Sequence, residues 1–525
     1  MTPTAAGSAP RPAGDRPQAT PLTLADLADL VGAPAAGRSG DTPTITGVTL
    51  ASGEVRPGDL YAALPGARTH GARFAADAAQ RGAVAVLTDP TGLETARSTG
   101  LPVCVVDDPR AVLGLVADRV HGGPSAQLTV LGITGTNGKT TTAYLVEAGL
   151  AAAGLGTGLI GTVQTRTRSR AADGTLTETA FPSVRTTPEA PAVHALLATM
   201  AASGVAAVVM EVSSHALVLG RVGGVRFAAA GFTNLGRDHL DFHETLEDYF
   251  QAKAMLFDGR AACELVTVDD EAGRRLAGLR PDAGTVSTTG PADWSATDVA
   301  TAPDGGSTFT LAGPGGSWPA RLRLPGRFNV ANAVLAVALL DAAGVPVETA
   351  LAGIATTVVP GRMEPVDAGQ PFVAVVDYAH TPDAVTTALE ALRRSTEGRL
   401  ITVLGCGGDR DPGKRPGMGA AAAASSDVLV VTDDNPRSED PAAIRAAMLA
   451  GVREVPEDRR AEVHEVPGRR DALAAAVALA RPGDTLLVAG KGHETGQEIA
   501  GTVHPFDDRS VLRDVLREVL AGGTT

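Results

Sequence analysis

Three common features are scarce or missing in this sequence, and each absence excludes a class of protein. Its 525 residues include only three cysteines, Cys104, Cys263 and Cys406, which are odd in number and far apart. This pattern argues against a disulfide framework and favours a reducing compartment, so we expect a cytoplasmic protein. No apolar run reaches the ~18 residues that a membrane span needs. No basic block occurs and the formal net charge is −14, so we expect neither nucleic acid nor a membrane as a partner.

Lysine is almost absent. The chain has 45 Lys and Arg residues together, but only four of them are lysines: Lys139, Lys253, Lys414 and Lys491. Arginine therefore fills nearly every general cationic role. We infer that the few lysines occupy positions where a compact ammonium or a titratable amine is required.

The length is sufficient for about three domains, each with an ample core. Residues 1–21 are rich in Pro, Ala, Gly and Thr and lack an apolar h-region, which predicts a disordered tail rather than a signal peptide. Alternating apolar runs and helical patterns then predict an α/β protein with a small domain over 22–124, a central domain over 125–358 and a doubly wound domain over 359–525.

A glycine loop in the central domain organises the chain. It lies between an apolar strand, Leu128–Leu131, and a helix predicted over Ala143–Ala153. Its backbone N–H groups and the helix N-terminus suit phosphates, Lys139 can reach the β/γ-phosphates, and Thr140 can hold Mg²⁺. The usual spacing is not met, because Ile133 stands where the first glycine of such loops is expected. A plain glycine turn is the alternative.

Two further strands of the central domain end in polar residues. A strand over Val205–Met210 delivers Glu211, a candidate Mg²⁺ ligand, at the edge where open α/β sheets bind ligands. A second strand is followed by a dense group that suggests metal binding or catalysis: Asp238, His239, Asp241 and His243. The helix predicted over Thr245–Phe257 then presents Lys253. The structural alternatives are a solvent-facing Glu, packed histidines and a solvated lysine.

The C-terminal domain shows the doubly wound pattern most clearly. Three predicted strands lead into polar loops at 405–415, 432–437 and 490–494. Their mixture of Asp, Glu, Arg and Lys suggests a zwitterionic ligand such as an amino acid, with a salt-bridged surface as the alternative. Between the central strands and this domain, residues 282–316 are rich in Gly, Thr and Ser and predict a hairpin.

The motifs together resemble those of the Mur ligases, in order, from about residue 45 to 515. The matching segments are Gly-Thr-Asn-Gly-Lys-Thr-Thr at 135–141, Glu-Val-Ser-Ser-His at 211–215, Thr-Asn-Leu at 233–235 with Asp-His-Leu-Asp at 238–241, Lys253, Pro-Gly-Arg-Met-Glu at 360–364, Asp-Tyr-Ala-His-Thr-Pro at 377–382 and Asp-Asn-Pro-Arg at 434–437. The resemblance implies a uridine-binding N-terminal domain, a central P-loop ATPase domain with a mostly parallel sheet, and a Rossmann-like C-terminal domain.

The resemblance also implies a reaction. ATP would phosphorylate the D-glutamate side chain of UDP-N-acetylmuramoyl-L-Ala-D-Glu, and the amine of meso-diaminopimelate would displace phosphate from the acyl phosphate to form an amide. Two Mg²⁺ ions are expected, held by Thr140, Glu211, His239 and Lys253, with Lys139, Glu211, His239 and Lys253 as the catalytic set. Lys253 matches a lysine that the family carbamylates, which requires a neutral amine and yields a carboxylate-like ligand. We expect a monomer.

Three groups of binding residues follow from the same resemblance. The ATP group is Gly135, Thr136, Asn137, Gly138, Lys139, Thr140, Thr141, Asn332, Arg362 and Asp377. The group for the UDP-sugar and its peptide is Leu50, Ser52, Ala67, Arg68, Thr69, Thr186, Thr187, Ser213 and Arg221. The group for diaminopimelate is Arg410, Asp434, Asn435, Pro436, Arg437, Gly490 and Glu494.

Specificity is expected to depend on Arg437 and Glu494. Arg437 can pair bidentately with the carboxylate that lysine lacks, and Glu494 with an ammonium. A stranded buried Arg437 would cost several kcal/mol, roughly 3–5, so lysine should be rejected. The sequence departs from the family where Ala51-Ser52-Gly53 replaces Asp-Ser-Arg and where Leu219 replaces a frequent Gln. Both changes bear on recognition of the UDP-sugar.

Five alternatives remain at this point. The same ligase could use L-lysine or another diamino acid, or the chain could be a folylpolyglutamate synthase or the ligase that adds a dipeptide. The N-terminal domain and Asp-Asn-Pro-Arg argue against the latter two. A P-loop NTPase switch would not need the 434–437 and 490–494 segments. A UDP-sugar-binding module without activity would not need Lys139, Glu211, His239 and Lys253.

Overall fold

The computed structural model describes residues 19–33, 35–36, 43–66, 68–170, 174–183, 185–239, 242–302 and 305–522. Most of the predicted tail, the predicted site residue Ala67 and Asp241 of the predicted metal cluster lie outside these ranges. The chain divides into two compact units. The first unit comprises residues 1–134, 154–230 and 251–264, and the second comprises 135–153, 231–250 and 265–525.

The N-terminal part of the first unit is a small α/β fold. Its elements are β1 Leu22–Thr23, α1 Leu24–Val31, β2 Ala35–Ala36, β3 Thr44–Ile45, β4 Gly47–Thr49, β5 Asp59–Ala63, α2 Ala75–Gln80, β6 Ala85–Thr88, α3 Leu93–Arg97, β7 Val103–Val105 and α4 Pro109–Val120. The sheet order is β2-β7-β6-β5-β4, and only β2 runs antiparallel to its neighbour. The predicted helix at Leu22 starts later, because Thr23 forms a capping box with Asp26.

The middle of the chain contributes to both units. Its elements are β8 Thr129–Thr134, α5 Lys139–Ala152, β9 Thr157–Ile160, β10 Thr165–Arg170, β11 Leu176–Phe181, α6 Ala190–Ala202, β12 Ala207–Glu211, α7 Ser214–Val218, β13 Phe227–Phe232, α8 Leu246–Ala254, β14 Ala261–Thr267, α9 Glu271–Leu279, β15 Gly284–Ser287, β16 Trp294–Thr301, β17 Ser307–Gly313, β18 Gly316–Leu322, α10 Arg327–Ala342 and α11 Val347–Ile354. In the first unit the strand order is β11-β10-β9-β12-β8, with β9, β12 and β8 parallel. In the second unit β16, β17 and β18 form antiparallel pairs, which confirms the predicted hairpin.

The C-terminal part of the second unit is doubly wound, as predicted. Its elements are β19 Glu364–Pro365, β20 Val373–Asp377, α12 Pro382–Arg393, β21 Leu400–Cys406, α13 Lys414–Ser425, β22 Val428–Asp433, α14 Pro441–Glu454, β23 Glu462–Glu465, α15 Arg469–Leu479, β24 Thr485–Ala489, β25 Gly496–Ile499, β26 Thr502–Pro505 and α16 Asp508–Gly522. The strand order is β19-β20-β24-β21-β22-β23, and every strand except β19 is parallel to its neighbours.

Both faces of this sheet are buried, which explains its continuous apolar strands. One face packs on α12, α13 and α14, through residues such as Leu389, Met418 and Met448. The other face packs on α15 and α16, through Leu473 and Leu512. The carboxyl ends of the parallel strands therefore share one edge, where the polar loops predicted from the sequence begin. No helix in the described ranges is long and apolar enough to cross a membrane.

A buried ion pair fastens α15 to α16 beneath this edge. Arg469 donates from Nε and Nη2 to the two carboxylate oxygens of Asp508, at 2.7 Å each, and neither side chain is exposed. Arg469 Nη2 also donates to the carbonyl of Ala489 at 2.9 Å. The pair thus holds the end of β24 in place.

Asp508→Asn should destabilise the protein strongly, because it removes the charged carboxylate 2.7 Å from the buried Arg469 and leaves Asp434, at 3.9 Å, as the nearest counterion. We expect the free energy of unfolding to fall by about 3–5 kcal/mol, measured by urea denaturation. The matched control is Glu518→Gln, which breaks the exposed Arg470–Glu518 pair and should cost less than about 1 kcal/mol. Equal effects of the two variants would contradict the role given to burial.

Candidate active site

The glycine loop connects a strand and a helix in the geometry that phosphate binding requires. β8 ends at Thr134 and α5 begins at Lys139, four residues before the predicted start. Gly135 and Gly138 have φ values of 146° and 88°, which side chains rarely adopt. A Cβ at Gly138 would collide with the side chain of Asn332, and one at Gly135 with Thr233. The glycines therefore allow a tight loop that leads into the N-terminus of a helix.

The segment after β13 holds this loop in shape. Asn234 Oδ1 accepts the N–H of Asn137 at 3.0 Å, Asn234 Nδ2 donates to the Asn137 carbonyl at 3.1 Å, and the Asn234 carbonyl accepts the N–H of Thr136 at 2.8 Å. The Thr233 hydroxyl donates to the Asn137 carbonyl at 2.6 Å. Sequence reasoning did not assign Asn234 to the site. The signal was available in the Thr-Asn-Leu motif, whose amide is a suitable backbone partner.

Asn234→Ala should weaken nucleotide binding without removing any group from the loop itself. It deletes two hydrogen bonds, each worth about 0.5–1.5 kcal/mol, so we expect the KM for ATP to rise roughly tenfold. Steady-state kinetics with varied ATP measure this. Gln127→Ala is the control: it removes one exposed hydrogen bond, from the Gln127 side-chain amide to the Gly122 carbonyl, and should leave the KM for ATP unchanged. An unchanged ATP KM in Asn234→Ala would refute the role of this clamp.

The predicted loop residues lie where the loop and α5 meet. Lys139 Nζ donates to the carbonyls of Gly135 and Thr136, at 2.8 and 2.9 Å. Thr140 and Thr141 are buried in the first turn of α5, while Asn137 is exposed. Asn332 of α10 is buried and donates to Asn329 Oδ1 at 3.2 Å. The ammonium of Lys139 thus lies over the loop carbonyls, next to the backbone that would receive phosphate.

The Asp and His residues that follow β13 lie in different environments. His239 is half exposed, has a φ of 55°, and lies 3.5 Å from the Asp238 carboxylate. Burial opposes ionisation of Asp238, but the His239 and His380 imidazoles and the Lys139 ammonium lower the pKa of Asp238 below its ordinary value. His243 is instead buried against Tyr249, with ring centroids 4.8 Å apart. Within the described residues no three His, Cys, Asp or Glu side chains group as metal ligands.

Glu211 in the first unit is not the solvent-facing residue that the structural alternative supposed. It ends β12, pairs in register with Ile133 and is 1% exposed. Its Oε1 accepts the Thr162 N–H at 2.9 Å and its Oε2 the Thr162 hydroxyl at 3.0 Å. A Cβ at Gly161 would collide with the Glu211 carboxylate. Thr162, which sequence reasoning did not assign, therefore orients this carboxylate.

Lys253 is likewise not a solvated helix lysine. It lies on α8 and is 1% exposed. Burial disfavours a charged ammonium relative to a neutral amine. The scarcity of lysine was thus a useful signal, because two of the four lysines, Lys253 and Lys491, are buried at 1% and 0% exposure.

The residues predicted to bind the muramoyl dipeptide include both accessible and fully buried groups. Thr187 is 0% exposed, and its hydroxyl donates to the Glu211 carbonyl at 2.8 Å and accepts the Ser213 N–H at 3.1 Å. The Thr186 and Thr162 hydroxyls lie 2.9 Å apart, and since the Thr162 proton goes to the Glu211 carboxylate, Thr186 is the donor of this pair. Arg221 donates to the Thr187 carbonyl at 3.2 Å. The Thr187 hydroxyl therefore braces the end of β12, so any effect it has on a ligand is through position.

The residues predicted to bind uridine lie in two segments of the N-terminal fold, where Arg68 is exposed and Leu50, Ser52 and Thr69 are partly buried. Leu50 and Ser52 follow β4, and Arg68 and Thr69 follow β5. The second segment is anchored by His70, which the sequence reasoning missed. His70 Nδ1 accepts the Ala72 N–H at 3.0 Å, so Nε2 carries the proton and donates to the Asp89 carboxylate, also at 3.0 Å.

At the C-terminal edge of the second unit, Arg362 and Asp377 lie beside an aromatic group. The Arg362 guanidinium lies 4.3 Å from the centroid of the Tyr378 ring. Desolvation raises the pKa of Asp377 above its ordinary value, although Arg362 and the N–H groups of Met363 and Ala379 oppose this. Tyr378 also packs against His380, with centroids 4.5 Å apart, and burial and Lys414 lower the pKa of His380 to about 4. The flat, neutral rings of Tyr378 and His380, next to the Arg362 guanidinium, suit a nucleotide base or sugar.

A second group of polar side chains lies on the same unit, where β22 and β24 end. Asn435 Nδ2 donates to Glu494 Oε2 at 2.7 Å, so two of the residues predicted to bind diaminopimelate are in contact. Asp434 lies beside Gly490, where a Cβ would come within 2.7 Å of the carboxylate. Arg410 is exposed and bonds only weakly to the Asp409 carbonyl, at 3.4 Å.

Arg437 has protein partners, contrary to the prediction that it would be stranded without a substrate carboxylate. It has a φ of 53°, its Nη1 donates to the Gly408 carbonyl at 2.7 Å, and its Nε lies 3.5 Å from the Glu498 carboxylate. Its side chain is 20% exposed. Arg437 is therefore already compensated and would not be a stranded buried charge. The large penalty predicted for an unpaired arginine therefore does not apply to Arg437.

The loop that opens α5 and the parallel sheets with polar carboxyl-end loops define an α/β enzyme of the P-loop nucleotide-binding class. Three family profiles match the chain: "Mur ligase family, catalytic domain" at residues 44–121, "Mur ligase middle domain" at 133–340 and "Mur ligase, glutamate ligase domain" at 361–492. The chain belongs to the Mur ligase family, with its N-terminal, middle and C-terminal domains.

Named relatives span nearly the whole chain. A protein of Streptomyces avermitilis named UDP-N-acetylmuramoyl-L-alanyl-D-glutamate–2,6-diaminopimelate ligase is 55% identical over 518 residues, which cover 97% of this chain and 98% of that protein. A Corynebacterium glutamicum protein of the same name is 50% identical over 471 residues, 88% of this chain and 89% of that protein. A solved structure of a ligase so named superposes with a TM-score of 0.67 at 30% identity, covering 96% of this chain and all of that one.

Proposed function

We propose that the protein is the ATP-dependent ligase that adds meso-diaminopimelate to the D-glutamate of UDP-N-acetylmuramoyl-L-Ala-D-Glu during peptidoglycan precursor synthesis. The observation that carries this is the pairing, within the second unit, of a phosphate loop with a pocket of mixed charge at Asn435, Arg437 and Glu494. The full-length relatives named for this reaction support the same assignment. A purely NTPase site would not explain the second pocket.

The chemistry divides into two displacements. An oxygen of the D-glutamate side-chain carboxylate attacks the γ-phosphorus of ATP, which forms an acyl phosphate and releases ADP. The neutral amine of diaminopimelate then attacks the acyl carbon, loses its proton, and expels phosphate from the tetrahedral intermediate. Lys139 and the loop N–H groups would stabilise charge on the transferred phosphoryl group, as preorganised donors do in phosphoryl transfer.

Mg²⁺ is proposed as a companion of ATP, with Thr140, Glu211, His239 and a carbamylated Lys253 as ligands and two ions bound. The donor set suits the ion, since Mg²⁺ prefers hydroxyl and carboxylate oxygens and a carbamate supplies two more. When bound, Mg²⁺ neutralises charge on the phosphates. The buried Glu211, oriented by Thr162, and the buried Lys253 are positions where such ligands would be held rigidly.

The remaining site residues take proposed roles by substrate. Arg362, Asp377 and Asn332 would contact the nucleotide, with the loop residues 135–141. Leu50, Ser52, Ala67, Arg68 and Thr69 would contact uridine, and Thr186, Thr187, Ser213 and Arg221 would contact or position the muramoyl dipeptide. Arg410, residues 434–437, Gly490 and Glu494 would receive diaminopimelate. Three domains bounded at 22–124, 125–358 and 359–525, a monomeric state and a cytoplasmic location complete the proposal.

The principal alternative is the same ligase acting with L-lysine or another diamino acid. The Asp434-Asn435-Pro436-Arg437 segment argues against L-lysine, because its guanidinium suits a ligand with a second carboxylate. A P-loop NTPase switch is the alternative from another class, and it would turn over ATP without either co-substrate.

The experiment that tests the proposal measures phosphate release from ATP with UDP-N-acetylmuramoyl-L-Ala-D-Glu present. The amino acid is varied among meso-diaminopimelate, L-lysine and none. We expect release only with diaminopimelate, together with a product that contains the new amide. Equal release with lysine would keep the ligase and remove the specificity, and release without both co-substrates would favour the NTPase.

A further inference from the structure

Lys491 is a fully buried lysine in the second pocket to which the proposed reaction gives no role. It follows Gly490 at the end of β24, and its side chain is 0% exposed. Its Nζ lies 3.3 Å from Asn435 Oδ1, 3.3 Å from Glu494 Oε2 and 2.6 Å from the Gly496 carbonyl. An ammonium has three N–H donors, so these three acceptors use all of them.

These contacts fix the orientation of the Asn435 amide. Its Oδ1 accepts from Lys491 Nζ and from the N–H of Glu498 at 2.9 Å. Its Nδ2 is therefore the atom that faces Glu494, to which it donates at 2.7 Å. If Lys491 were absent, the amide would lose one of the two donors that hold its oxygen inward.

The same contacts select which oxygen of Glu494 remains available. Oε2 accepts from both Lys491 and Asn435, whereas no described residue donates to Oε1. The Glu494 side chain is 33% exposed, while the Lys491 side chain is not exposed at all. The ammonium of Lys491 and the Asn435 amide thus both engage Oε2, which leaves Oε1 without a donor among the described residues.

We propose that Lys491 is a positioning residue for the amino-acid substrate: it holds Asn435 and Glu494 so that Glu494 Oε1 receives the substrate's ammonium. The inference rests on the proposed function of this pocket and names the group that shapes it. Lysine suits this place better than arginine, because three acceptors surround one nitrogen and a planar guanidinium cannot aim three donors at them from one point. The chain has only four lysines, and the three acceptors around Nζ explain why one of them is at position 491.

The first test is Lys491→Met, which keeps the side-chain length and removes the three donors. We expect the KM for meso-diaminopimelate to rise about tenfold or more, because two side-chain hydrogen bonds that shape the pocket are lost. The KM for ATP should stay within about twofold, since the residues proposed to contact ATP keep their hydrogen bonds. Glu494→Gln and the double variant complete a cycle, in which the double variant should raise the KM less than the product of the two single effects.

Arg470→Met is the matched control, because it removes an exposed cation that, among the described residues, pairs only with Glu518 on the neighbouring helix. It should leave all three KM values unchanged. A purely structural Lys491 would lower kcat and raise every KM by similar factors, or give multiplicative effects in the cycle, and either result overturns the proposal.

If Lys491→Met does not fold, Lys491→Gln keeps an NH₂ group with two donors on a shorter, neutral side chain and should show the same selective rise in the KM for diaminopimelate. Failure of both variants to fold would mean that Lys491 serves the fold, which also overturns the proposal. Assays of the wild-type enzyme show first which amino acid it uses, so failure of the proposed function is seen independently of Lys491. If the wild-type enzyme uses another diamino acid, the ratio of the variant KM to the wild-type KM is measured with that amino acid.

Discussion

Lys253→Ala is expected to lose nearly all ligase activity, whereas Lys253→Glu is expected to keep part of it. Lys253 is 1% exposed, so it is not a solvent-facing surface lysine. If its neutral amine adds to CO₂ and loses a proton, the resulting carbamate places a negative oxygen pair where the lysine chain ends. Alanine has no such group, and the loss of a preorganised charged group costs about 10²–10³-fold in kcat. Glutamate restores a carboxylate on a shorter chain.

The control for Lys253→Ala is Lys253→Met, which fills the same space without charge and separates packing from chemistry. Both should be inactive, with the methionine variant closer to the wild type in thermal stability, because it leaves less of a cavity. Product formation at saturating ATP, UDP-dipeptide and diaminopimelate is the measurement. Normal activity in Lys253→Ala would show that no carbamate is needed.

Arg437→Ala is expected to raise the KM for meso-diaminopimelate on the order of 10–100-fold and to leave the KM for ATP nearly unchanged. Hydrogen bonds to charged groups contribute about 1.5–3 kcal/mol, and each 1.4 kcal/mol is a factor of ten in affinity. In the structure Arg437 bonds to the Gly408 carbonyl and lies near Glu498. We expect the rise in KM because the substrate's second carboxylate loses the guanidinium that would bind it. The preference for diaminopimelate over lysine should shrink by a similar factor.

Two variants delimit this result. Arg437→Lys keeps the charge but not the planar fork, so it should recover only part of the lost affinity. Arg453→Ala removes an exposed arginine of α14 and should change no KM. If Arg437→Ala raised the KM values for ATP and diaminopimelate equally, Arg437 would be holding the loop, whose backbone bonds to Glu498 and Ala500, rather than binding the substrate.

Much of the fold and the position of the site were predictable because the information is local. Apolar runs of five or six residues form the parallel strands, and the residues that follow β12, β20, β22 and β24 come to the carboxyl edges by the geometry of parallel sheets. The glycines of the phosphate loop are fixed by backbone conformation, which any reading of a strand, a glycine loop and a helix can anticipate.

The contacts that decide what each side chain does are not local. Asn137 and Asn234 are 97 residues apart and Asn435 and Glu494 are 59 apart, yet their hydrogen bonds shape the two pockets. The burial of Thr187, the packing of His243 against Tyr249 and the compensation of Arg437 also depend on segments that meet only in the folded chain. Periodicity carries no signal for such meetings.

The sequence by itself determined the family, the phosphate loop and the loops that hold the proposed substrate-binding residues. These features depend on glycine positions, strand patterns and charged motifs, which are local in the sequence. Only the tertiary structure decided which of those residues face a ligand and which brace their neighbours. Lys491 shows the difference. Its motif was visible in the sequence, but its role as a positioning residue depends on burial and on three acceptors, one from a segment 56 residues away, that converge on one nitrogen.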